Sequence, residues 1–134
     1  MLSEADLIGV WKLISNLGLD EGGIVSEGPL GPHPKGLLIY DGRGYMSVSM
    51  MRTGRLNDAG SGPVQPSTFY MGYSGTWRLV NDVIVHEVEV SSHPHMVNTK
   101  QIREAVLGDD RLTLYATALI GGRLARRVLS WRRA

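Results

Sequence analysis

Short runs rich in Val, Ile, Leu, Tyr and Trp recur along the chain, each ended by glycine, proline, asparagine or aspartate. This rhythm constrains the fold more than any other feature, because apolar residues at the three- and four-residue spacing of a long helix are scarce. Strands are expected at 9–17, 36–41, 45–52, 73–80, 83–91, 99–107, 111–117 and 123–132. The clearest hairpin turns are Asp41-Gly42-Arg43-Gly44, Asn81-Asp82 and Gly108-Asp109-Asp110, short polar breaks of the length that joins antiparallel neighbours. An all-β fold follows: an antiparallel barrel of about eight strands, with a sandwich as the alternative. Closing the sheet would remove both exposed edges and leave an interior wide enough for side chains or one small ligand. Ser3 followed by Asp6 resembles a capping box, so a short N-terminal helical turn is expected over 4–8. Two glycine- and proline-rich stretches, 19–35 and 53–68, read as long loops that either cover a barrel mouth or merely connect strands, and 67–71 as the start of a helical turn.

The chain of 134 residues has the size of one domain, so 1–134 is read as a single barrel with one core. No run is long and apolar enough to span a bilayer as a helix, and a formal net charge of +1 offers no general attraction to nucleic acid or anionic lipid. Arg123, Arg126, Arg127, Arg132 and Arg133 do crowd the end, but an alternating strand divides them between two faces. The first residues lack a secretion signal and there is no cysteine, so a cytoplasmic setting is expected. A homodimer is left open.

Several segments, taken in order, resemble the bacterial and fungal lipocalin-like domain proteins. They are Gly9-Val10-Trp11, Gly36-Leu37-Leu38-Ile39-Tyr40, Gly44-Tyr45-Met46-Ser47-Val48, Tyr73-Ser74-Gly75-Thr76-Trp77, His86 to Ser91, Gln101-Ile102-Arg103 and Leu129-Ser130-Trp131. The resemblance covers nearly the whole chain. It implies a lipocalin-like β-barrel holding a small hydrophobic organic molecule, and it leaves open carriage or cofactor-free isomerase, cyclase or lyase chemistry in secondary metabolism. It also implies a late arginine covering Trp11, to be supplied by Arg126, Arg127, Arg132 or Arg133.

Strand alternation sorts the candidate site residues. On 83–91, Ile84, His86, Val88 and Val90 form one row, while Glu87 and Glu89 share the opposite face; His86 is therefore expected to point inward. There it is either a structural histidine with satisfied partners or a general acid or base, its possible partners being Tyr40, Tyr45, Tyr73 and Arg103. Arg103 shares a row with Gln101, Ala105 and Leu107, and its direction is open; pointing inward without a carboxylate, it would favour an anionic or enolate-like ligand group. The candidate catalytic set is His86, Arg103 and Tyr73. The candidate ligand-binding set is Tyr40, Tyr45, Met46, Met50, Met71 and Val88, since methionine suits an irregular or flat apolar ligand. No cofactor is expected: there is no phosphate-binding glycine loop or cysteine nucleophile, and His93-Pro94-His95 has no third metal ligand at a suitable spacing.

Overall fold

The computed structural model describes residues 1–28, 30–53, 70–120 and 122–134. One helical turn, α1 (Glu4–Leu7), precedes nine strands: β1 (Gly9–Asp20), β2 (Val25–Glu27), β3 (Lys35–Tyr40), β4 (Tyr45–Met51), β5 (Tyr70–Val80), β6 (Val83–Ser91), β7 (Lys100–Gly108), β8 (Arg111–Ile120) and β9 (Arg123–Arg133). Successive strands from β3 to β9 pair antiparallel, β1 pairs with β3, and β1 also pairs with β9. Eight strands thus close into an antiparallel barrel, and β2 lies outside the ring, against Leu17–Leu19 of β1.

The turn chemistry accounts for the meander. At Asp41 to Gly44 the Asp41 carboxylate accepts the Arg43 N–H at 2.6 Å, and Gly44 takes a φ of 94° that a side chain would resist. The turns after β5 and β7 place Asn81 and Asp109 at positive φ, the conformation that tight hairpins demand and that these residue types tolerate. At α1, the Asp6 carboxylate accepts the Ser3 N–H at 2.9 Å.

The stretch 19–35 differs from its expected form as a loop. Leu19 and Asp20 extend β1, and Val25–Glu27 returns alongside it as β2 because the Asp20 carboxylate accepts the Ile24 N–H at 2.8 Å and tightens the turn. The expected helical turn at 67–71 is also corrected at its described end: Tyr70 and Met71 belong to β5, paired with Met51 and Met50. The rest of that turn and the candidate lid at 54–68 lie outside the described residues.

The barrel has a filled half and a hollow half. In the filled half, next to α1, Leu7, Trp11, Tyr40, Trp77, Ile84 and Leu112 pack together with at most 6% exposure. Trp11 donates its indole N–H to the Leu7 carbonyl at 2.9 Å. The arginine over its ring is Arg133, with the guanidinium carbon 4.1 Å from the ring centroid and donor bonds to the Asp6 and Ile8 carbonyls. The two Gly-x-Trp segments share a physical reason. A Cβ on Gly9 would lie 3.1 Å from Arg133 Nη1, and one on Gly75 would lie 1.8 Å from the Glu87 carbonyl oxygen, so each glycine permits a close approach beside an inward tryptophan.

Candidate functional site

The hollow half contains a cavity of ≈ 350 Å³, within the size range of small-molecule sites. Its apolar wall comes from Leu38 on β3, Val48 and Met50 on β4, Met71 on β5, Leu114 and Ala116 on β8, and Leu129 on β9. Leu30, after β2, and Met96, in a 3₁₀ turn at Pro94–Met96, complete it. Its polar wall among the described residues consists of Asn16, Tyr73, His86, His93, Gln101, Arg103, Arg127 and Trp131, with no aspartate or glutamate among them.

His86 sits at the boundary between the two halves, 1% exposed. Its Nε2 lies 2.7 Å from the Tyr40 hydroxyl and its Nδ1 2.6 Å from the Tyr73 hydroxyl. Burial, reinforced by the positive charge of Arg103, lowers the imidazole pKa to about 3, so the ring is neutral near pH 7. Burial also raises the pKa of both phenols, well above the usual tyrosine value for Tyr40, with Arg103 opposing the rise in each. A neutral imidazole has one N–H and one lone pair, so the two phenols play different roles. Tyr40 is 1% exposed and Tyr73 lines the cavity. A buried hydroxyl proton without an acceptor is avoided when Tyr40 donates to Nε2 and Nδ1–H donates to Tyr73. The Tyr73 proton then remains for a group inside the cavity.

The residues singled out from sequence divide among three places. His86, Arg103, Tyr73, Met50 and Met71 line the cavity. Tyr40, Met46 and Val88 are buried in the core but do not line it, Tyr40 meeting the site only through His86. Tyr45 is 57% exposed on the outer face, because it sits one position before inward Met46. It is therefore not a partner of His86. Arg103 does face the lumen, two positions from buried Ala105, and bonds to Gln101 and the Ile102 carbonyl.

The geometry also brings in residues that the sequence reading passed over. Arg127 was legible by parity: Trp131, Leu129 and Arg127 share one row of β9. Asn16 was not, because the bulge between Leu13 and Ser15 shifts the alternation, so that odd-numbered Trp11 and even-numbered Asn16 both face inward.

The family model for the lipocalin-like domain matches residues 8–134, almost the entire chain. This chain belongs to the lipocalin-like domain family. No curated protein and no solved structure shows significant similarity to it. In this lipocalin-like protein the cavity lies inside the closed sheet. Among the described residues, no three His, Cys, Asp or Glu side chains gather as a metal site, and no helix is long and apolar enough to cross a membrane.

Proposed function

We propose that this protein binds a small hydrophobic organic molecule inside its barrel. The observation carrying this reading is a wall that is apolar over most of its area yet ends in a few polar groups, the composition typical of small-ligand sites. Transfer of an apolar ligand from water onto Leu38, Met50, Met71, Leu114 and Leu129 supplies the driving force. Met50, Met71 and Met96 provide unbranched side chains that adapt to an irregular outline.

A titration with the neutral fluorescent probe N-phenyl-1-naphthylamine tests this. Saturable binding at one site is expected, with loss of that site in Ala116→Phe, which narrows the lumen while circular dichroism reports a retained barrel. Non-saturable binding, or unchanged binding in the narrowed barrel, would count against it.

One arrangement favours a second reading, in which the protein also transforms its ligand. Both nitrogens of His86 are engaged by phenols, so proton transfer to a bound molecule would pass through the Tyr73 hydroxyl, with Arg103 beside developing negative charge. Such a reaction would be a cofactor-free isomerisation, cyclisation or elimination. Replacing Tyr73 by Phe would then reduce turnover of the true substrate at least tenfold while leaving its binding within a few-fold; equal turnover would exclude this reading.

A further inference from the structure

The inward and outward arginines of the barrel differ in one respect. On β9, Arg126 points outward and holds the Glu104 carboxylate at 2.8 Å, whereas its neighbour Arg127 points into the cavity. On β7 the same alternation puts Glu104 outside and Arg103 inside. Among the described residues, neither Arg103 nor Arg127 has a carboxylate partner and no acidic side chain lines the cavity.

The register brings these two cations together. Ala116 pairs with Arg127 across β8 and β9, and one step beyond the Glu104 and Tyr115 pair on β7 and β8 stand Arg103 and Ala116. Arg103, Ala116 and Arg127 therefore form a row across three strands, with the small alanine leaving open space between two guanidinium arms. At strand spacings of about 4.8 Å, the backbones of the arginines lie about 10 Å apart, a span that one carboxylate or enolate bridges from two long side chains. Gln101 lines the same space with its amide N–H bonded to Thr99 Oγ1, and the Trp131 indole N–H, on the row of Arg127, is buried without an acceptor among the described residues.

We infer that the ligand of this barrel is an organic anion, its apolar body against the methionines and leucines and its negatively charged oxygen atoms between Arg103 and Arg127. The inference rests on the lumen being the binding site and names the chemical class that the lumen selects. Arg103 is half-buried and Arg127 exposed at the cavity wall, neither with a carboxylate partner among the described residues, so a ligand oxyanion supplies the opposite charge that a neutral molecule does not.

The test compares 2-naphthoate with its neutral methyl ester by calorimetric titration at pH 7.5, on wild-type protein, on Arg103→Met, on Arg127→Met and on the double variant. The acid is expected to bind at least tenfold more tightly than the ester to wild-type protein. That advantage should shrink several-fold in each single variant and to less than threefold in the double variant. Retained binding of N-phenyl-1-naphthylamine certifies that each variant is folded, and the wild-type comparison stands even if a variant fails to fold. Equal affinities in the wild type, a preference for the ester, or an acid preference that survives in the double variant would overturn the inference while leaving lumen binding intact. If neither naphthalene compound nor the neutral probe binds the wild type, the lumen reading itself falls, and this inference with it.

Discussion

The two halves of the barrel are built from the same strands with the same alternation, yet they handle polar atoms in opposite ways. Next to α1, Trp11 and Trp77 each donate their indole N–H to a carbonyl, at 2.9 and 3.0 Å, and Arg133 covers Trp11 while donating to backbone oxygens. Around the cavity, the Trp131 indole N–H and the Asn16 Oδ1 are buried without partners among the described residues, and neither Arg103 nor Arg127 has a carboxylate partner there. Folding satisfies the first half internally; in the second, these groups have no partner among the described residues. His86 joins the two, tied to the filled half by Tyr40 and to the cavity by Tyr73.

The largest contrast is expected in stability. Trp11→Ala removes a fully buried ring, its hydrogen bond and the Arg133 stack, and should lower unfolding free energy by about 3–5 kcal/mol in urea denaturation. Met50→Ala, half-buried at the cavity wall rather than packed on all sides, should cost no more than about 2 kcal/mol, the low end for methionine. Similar losses at both sites would erase the distinction between the halves.

At the junction the effect is intermediate. Tyr40→Phe strands Nε2 of His86 in the core and should cost about 1–3 kcal/mol by the same measurement, whereas no loss would mean that the imidazole does not depend on this phenol.

His86 also predicts a pH dependence. Its imidazole is neutral in the folded protein down to about pH 3 but titrates near 6.5 when unfolded, so the unfolded chain takes up the proton first as the pH falls. Stability should therefore decrease from about pH 6.5 downward, with a slope approaching about 1.4 kcal/mol per pH unit, until the folded form also protonates. Between pH 6.5 and 5, above the range where most carboxylates titrate, His86→Gln should show a flatter profile than wild type. Parallel profiles would contradict the assigned neutral state.

The smallest effect belongs to the outer face, which has no part in the contrast. The exposed Arg78 and Glu87 pair, 2.9 Å apart, is screened by solvent, so Glu87→Gln should barely move the urea midpoint. A loss as large as that of Trp11→Ala would show that surface charge, rather than interior packing, governs this barrel.

The barrel itself was legible because turn residues and alternating apolar runs are local signals: Asp41 to Gly44, Asn81-Asp82 and Asp109-Asp110 specify hairpins without help from the rest of the chain. β2 was not legible, since its three residues are exposed and it is held by main-chain pairing with Leu17–Leu19 and by the turn at Asp20, which leave no apolar pattern in the sequence. In the site, the inward direction of His86 followed from the row it shares with Ile84 and Val88. The identity of its partners did not, because Tyr40, Tyr45 and Tyr73 come from three strands and only register separates Tyr45 from the other two. Arg103 was ambiguous for a related reason: its row holds Gln101 as well as Ala105, so apolar patterning alone does not orient it.

The six methionines provide the most direct test of a ligand lodged in the hollow half. In methyl NMR of protein labelled at methionine, adding 2-naphthoate should shift the signals of Met50, Met71 and Met96, which line the cavity, and leave those of Met1 and Met46 in place. Shifts confined to Met1 or Met46, or no methionine shift under conditions where calorimetry shows binding, would contradict the account.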